Sequence, residues 1–171
     1  MRDRFWQLGA YAAQAEGVGG QTAAILYTCS AFGPAIDTVA KNLPVPVLRP
    51  NEAAFEEALG CGERIGLLVT FPPSLPALSL ELHEMATARG KRIELIAQVA
   101  KGALGALKEG DFNEHDAIVA RAAGNFDDID CLILGQFSLA RAADAVEAVR
   151  GRRPITTPHS AVRKLKEMLL C

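Results

Sequence analysis

Short apolar runs alternate along this chain with stretches whose apolar positions recur every three or four residues, almost without interruption from Ala23 onward. A short continuous apolar run bounded by turn residues reads as a buried strand, and a 3.6-residue period reads as an amphipathic helix. Strands are expected at residues 23–28, 45–48, 65–71, 93–99, 131–136 and 154–157. Helices are expected at residues 4–16, 35–42, 52–59, 75–89, 103–108, 114–123, 139–149 and 160–169. Strand and helix in alternation build βα units, so the fold class is α/β with parallel sheets flanked by helices.

Several boundaries carry their own chemistry. Gly90 follows Arg89 as a helix C-cap, and Ser74 precedes Leu75 as a candidate N-cap. Pro34 suits a first helical turn, where its missing N–H is no loss, and Pro158 separates the last strand from the last helix. Pro44 and Pro46 remove ladder donors, so the strand at Val45 should be short or lie at an edge. The turn Gly60-Cys61-Gly62 precedes the strongly apolar strand at Ile65 and divides the chain. Residues 1–63 form an expected first half-domain and residues 64–157 a second, with residues 158–171 a helix returning to the first.

With 50% hydrophobic and 22% charged residues, the 171-residue chain matches a globular enzyme rather than a disordered, fibrous or membrane chain. The net charge is −2, and Lys and Arg are scattered. No stripe therefore exists to neutralise a nucleic-acid backbone or dock on an anionic membrane, and the expected partner is a small molecule or another protein. No apolar stretch approaches the roughly 20 residues that cross a bilayer, and the polar opening lacks the apolar core of a signal peptide. A cytoplasmic location is expected. Cys29, Cys61, Cys131 and Cys171 form no C-x-x-C pair and there are three histidines, so neither a metal site nor a disulfide framework is expected.

The most informative segment is Leu26-Tyr-Thr-Cys-Ser-Ala-Phe-Gly-Pro. It carries Cys29 from a strand end to a helix start, in the crevice where open α/β sheets bind ligands. The positive helix end favours thiolate there, so chemistry by Cys29 is expected. The N–H groups of Ser30, Ala31 and Phe32 follow it as a candidate cradle for a carboxylate. Thr70 ends the most apolar strand, and Gln136 and Ser138 end a later one. All three are candidate substrate-binding residues. Thr157 and His159, after the last strand, are further candidates, since a histidine near the cleft would tune a thiol or carry a proton. His83 and His115 read as solvated surface residues, and Gly17-Val-Gly-Gly as a turn, because it precedes a strand instead of opening a helix.

Together the Cys29 segment, Arg64-Ile-Gly-Leu-Leu-Val-Thr-Phe, Cys131-Leu-Ile-Leu-Gly-Gln-Phe-Ser and Thr156-Thr-Pro-His-Ser-Ala-Val-Arg-Lys-Leu resemble the aspartate/glutamate/hydantoin racemase superfamily. The resemblance implies two similar α/β half-domains with the active site in the cleft between them. It also implies a cysteine on each side of the substrate's α-carbon, one taking the proton while the other gives it, with neither metal nor cofactor. Cys29 matches the first of these cysteines.

The second falls at Gln136, in Leu134-Gly-Gln-Phe where the family pattern commonly has Leu-Gly-Cys-Thr. A glutamine exchanges no proton near neutral pH. Cys131 does not replace it, lying roughly 16 Å upstream along the strand and on its other face. The resemblance extends to arylmalonate decarboxylases and maleate isomerases, for whose one-cysteine chemistry Cys29 would serve while Gln136 binds a carboxylate or amide. At the amino terminus, where family members open with a strand, this chain opens on a stretch of helical period, so a first βα unit is expected to be missing. The implied function is a cofactor-independent isomerase or decarboxylase acting on a small carboxylate such as an amino acid, hydantoin or malonate derivative. The alternative is a silent α/β protein that keeps the cleft for binding or assembly, or a truncated racemase homologue. A homodimer is expected, because an incomplete first half leaves a sheet edge to cover.

Overall fold

The run Arg64–Val69, apolar on both faces after its first residue, forms one of the two inner strands of a four-stranded parallel sheet. The computed structural model describes residues 2–29 and 32–170. In chain order its elements are α1 (Arg2–Ala13), β1 (Glu16–Gly17), β2 (Gly20–Gln21), β3 (Ile25–Leu26), α2 (Gly33–Ala40), β4 (Val47–Leu48), α3 (Glu52–Cys61), β5 (Arg64–Val69), α4 (Leu75–Ala88), β6 (Glu94–Val99), α5 (Ala103–Glu109), α6 (Phe112–Ala123), β7 (Cys131–Leu134), α7 (Ala143–Arg150), β8 (Ile155–Thr156) and α8 (Thr157–Leu170). Short 3-10 turns lie at Pro72–Ser74 and Phe137–Ala142.

The larger sheet has the order β6-β5-β7-β8, all parallel. Alternation along β5 sends Ile65, Leu67 and Val69 to one face, where they pack with Phe55, Ala58 and Leu59 of α3 and Leu78 and Leu82 of α4. Leu68 points the other way, into a cluster with Leu132 and Leu134 of β7, Val119 and Ala123 of α6, and Val146 of α7. The two clusters make a three-layer α/β/α sandwich, and its mixed α/β class with parallel sheets is the expected one. α8 closes over α3, with Ser160 donating to Glu57 at 2.7 Å and Lys164 paired with Glu56.

β3 and β4 form a separate two-stranded parallel sheet. Its strand β3 is shorter than the expected 23–28, and its two-residue partner β4 follows Pro44 and Pro46, which have no N–H to donate. The pairing of Ile25 with Val47 and Leu26 with Leu48 is flanked by Ile25 N–H to the Pro46 carbonyl at 2.8 Å and Tyr27 N–H to the Leu48 carbonyl at 3.1 Å. α1 covers this sheet: Tyr27 donates its hydroxyl to the Phe5 carbonyl at 2.9 Å, and the Phe5 ring lies 4.9 Å from that of Phe32. Arg49, just after β4, pairs with Asp37 of α2 and reaches Glu81 of α4 at 3.2 Å, clipping the small sheet's layer to the large one. Burial raises the Glu81 carboxyl above its ordinary range, against the opposing pull of Arg49.

Local signals fared unevenly. Gly90 ends α4 at φ +66°, with its N–H on the Thr87 carbonyl and that of Lys91 on Ala86, both at 2.9 Å. Ser74 does not cap α4 with its side chain; its hydroxyl donates to the Phe71 carbonyl at 2.7 Å and closes the preceding turn. His83 is exposed as expected, whereas His115 is fully buried. The His115 Nδ1 lies 2.7 Å from Asp116, which Arg141 grips through two hydrogen bonds, while the buried Nε2 has no partner among the described residues.

Candidate functional site

Three chain segments that leave parallel strands at their carboxyl ends meet in one cleft of about 290 Å³. Thr28 and Cys29 follow β3, Pro50 and Asn51 follow β4, and Gln136, Phe137 and Ser138 follow β7. Carboxyl ends of parallel strands are where α/β folds bind ligands, because the loops there are free of the ladder and helix starts point inward. Cys29 is an exposed free thiol. Among the described residues no charged side chain lines this cleft. Its polar surface consists of hydroxyls, carboxamides and one thiol.

Gln136 is held in one orientation. Its Oε1 accepts the Thr70 N–H at 2.6 Å, the Thr70 hydroxyl at 2.9 Å and the Phe71 N–H at 3.3 Å. Two of these partners are backbone N–H groups and can only donate, so the oxygen must face them and the Nε2 amide must face away. β5 and β7 are in register, Leu68 opposite Leu134, so Val69-Thr70 and Gly135-Gln136 leave the sheet side by side. Gly135 permits that closeness, since a Cβ there would stand 2.8 Å from Leu67 Cδ1.

The expected site residues are therefore brought together in part. Cys29, Gln136 and Ser138 share the cleft. Thr70 is buried behind it and touches Gln136. Ser30 and Ala31 lie outside the described residues. Phe32 directly precedes α2, with its ring against Phe5. Thr157 is buried at the start of α8, and His159 lines a different cavity of about 210 Å³ beside Arg153, Ser160 and Arg163. Cys131 is buried at the far end of β7, its thiol pushed up to about 12 by burial and by neighbouring Cys61, the last residue of α3. Asn51 was not anticipated. An asparagine directly before a helix reads as an N-cap, yet its side chain makes no capping bond.

The sequence matches the Asp/Glu/Hydantoin racemase family over residues 4–165. The chain belongs to this family. No curated protein matches it by sequence. Among solved structures, the fold is similar to an allantoin racemase from Klebsiella pneumoniae, with a TM-score of 0.75 and 18% identity over 99% of this chain and 66% of that one. It is also similar to a glutamate racemase isoform from Bacillus anthracis, with a TM-score of 0.70 and 15% identity over 99% and 66%. For an arylmalonate decarboxylase the values are 0.59 and 14%, over 97% and 71%. The chain thus spans about two thirds of the length of these racemases. At such identities the likeness is one of fold, and family membership rests on the sequence match.

Proposed function

We propose that this racemase-family chain is a proton-transfer enzyme of isomerase or decarboxylase type, acting on a small substrate that bears an acidic carbon beside a carboxylate or related carbonyl. Cys29 is its acid, base or nucleophile. The observation that carries this reading is the shared cleft: the exposed thiol lies in the same cavity as Gln136 and Ser138, at strand ends. In the proton-transfer form, the Cys29 thiolate takes the α-hydrogen as a proton, the C–H electron pair moves into an enolate, and the new thiol returns a proton to carbon.

One cysteine serves one face of that carbon. Gln136 carries no transferable proton near neutral pH, so it binds and Cys29 does the chemistry alone or with a non-cysteine partner. Exchange without inversion, or single-handed protonation of an enediolate left by decarboxylation, is therefore favoured over symmetric racemisation. The family resemblance implies no cofactor.

The test is proton-deuterium exchange at the α-carbon, followed by NMR in D2O over a panel of amino acids, hydantoins and malonates. Exchange or decarboxylation by the wild type that vanishes in a folded Cys29→Ala variant is expected. Equal turnover by both proteins would sink the assignment. The second reading, a binding protein without turnover, rests on Gln136 standing where the family pattern has a cysteine. Ligand binding with no exchange by the wild type on any panel member would favour it.

A further inference from the structure

Asn51 is the one cleft residue that packing leaves unexplained. It lines the cleft beside Cys29, yet is 1% exposed, and neither its Nδ2 nor its Oδ1 has a hydrogen-bond partner among the described residues. An unpaired buried polar group costs about 1–3 kcal/mol. Capping does not offset that cost, because only the Asn51 backbone carbonyl serves α3, accepting the Phe55 N–H at 2.9 Å. A serine would cap, and an alanine would remove the orphaned pair. A carboxamide without partners among the described residues, held against a cavity, is instead ready for a ligand that brings both a donor and an acceptor.

We propose that Asn51 is a ligand-recognition residue of the Cys29 cleft, and that it reads a neutral amide edge, an N–H beside a C=O as in a cyclic imide, lactam or ureide. The inference rests on the reading of this cleft as the substrate site and adds the chemistry that the site selects. A carboxamide presents one donor and one acceptor side by side, and an amide edge returns the complementary pair. A carboxylate offers acceptors alone and sets one of them against Oδ1; an ammonium offers donors alone. The absence of charged side chains from the described lining favours the same neutral group. Gln136 adds to the selection. With Oε1 fixed by Thr70 and Phe71, its Nε2 is left to donate to a further carbonyl of the ligand. Contact takes a turn of the Asn51 side chain into the cleft that it lines.

The probes are succinimide, N-methylsuccinimide, which keeps both carbonyls and loses the N–H, and succinate, titrated into the 15N-labelled full chain. The NMR spectrum reads affinity from shifts of the cleft resonances and reports whether each variant is folded. Succinimide is expected to bind about tenfold tighter than either control, the worth of roughly one hydrogen bond, and to shift the Asn51 side-chain amide pair. Asn51→Leu should bring the three probes to parity. Asn51→Ala also removes both the donor and the acceptor, without adding apolar bulk, and should do the same if the leucine variant fails to fold.

Equal affinities in the wild type, a preference that survives in the folded variants, or no succinimide binding up to its solubility limit would each overturn the proposal. The two readings fail separately. Succinimide preference without α-carbon exchange leaves this inference standing and removes the enzyme; exchange without the preference does the reverse.

Discussion

Thr70 and Gln136 join the ends of β5 and β7 through a single oxygen, which accepts two backbone N–H groups and a hydroxyl. Replacing that oxygen tests whether the cradle is structural. Gln136→Leu leaves the Thr70 donors, which lie in a residue only 4% exposed, without an acceptor. A loss of about 1–3 kcal/mol is expected in urea denaturation. Gln136→Glu places a carboxylate among three donors that favour its charged form, so this variant should match or exceed the wild type at neutral pH and lose that advantage as its carboxylate is protonated in acid. Equal stability of the leucine variant and the wild type would refute the cradle.

Gly135 is the hinge of the same arrangement. A Cβ there would meet Leu67 Cδ1 at 2.8 Å and Val69 Cγ1 at 3.2 Å, and both side chains are fully buried and hemmed in by α3 and α4. Gly135→Ala should cost about 1–3 kcal/mol by overpacking. Part of that loss should return when Leu67→Ala opens space, so a double-mutant cycle should show a coupling of about 0.5–3 kcal/mol. Additive effects would mean that the contact is not the cause.

What the chain announces about itself depends on how local the determining physics is. β5, β6 and β7 are legible because an uninterrupted apolar run has few alternatives once turns bound it, and α4 because Gly90 closes it. The length of β3 is not legible from its own residues, which read as an apolar run through residues 23–28, whereas its partner β4 has only two residues to pair with. His115 sits between Glu114 and Asp116 and reads as solvated; it is buried beside Asp116, which is held by Arg141, a residue far along the chain. In the site, Cys29, Gln136 and Ser138 are visible as polar groups ending apolar strands. Asn51 is hidden behind the commoner reading of an asparagine before a helix, and Thr70 gives no sign that its partner is another side chain. His159 also follows a strand, but β8 is the outermost of its sheet and delivers it to another cavity.

The thiols should separate by environment. Cys29 and Cys61 are exposed, whereas Cys131 is buried and its thiol is pushed up to about 12, first by burial and then by Cys61. Iodoacetamide at mildly alkaline pH should label Cys29 and Cys61 in the folded protein and spare Cys131, as mapped by peptide mass spectrometry. Urea should expose Cys131 to labelling at an ordinary thiol rate. Native-state labelling of Cys131 as fast as Cys61 would contradict its place in the core.

Glu81 gives the fold a pH dependence of predictable sign. Burial raises its carboxyl above the ordinary 4.5, although the Arg49 guanidinium at 3.2 Å pulls the other way. The folded chain therefore binds this proton more tightly than the unfolded chain. Its contribution to stability is complete below the unfolded value and is lost as pH rises through the raised folded value. Glu81→Gln keeps an acceptor for Arg49, which still pairs with Asp37, and removes the titration. The stability of the variant relative to the wild type should then climb as pH rises from below 4.5 and level off above the raised folded value. Carboxylates remote from this junction titrate alike in both proteins, so the difference between urea midpoints at matched pH reports Glu81 together with its coupling to Asp37 and Glu52. A difference that is flat with pH, or that falls as pH rises, would show that attraction to Arg49 outweighs burial at this junction.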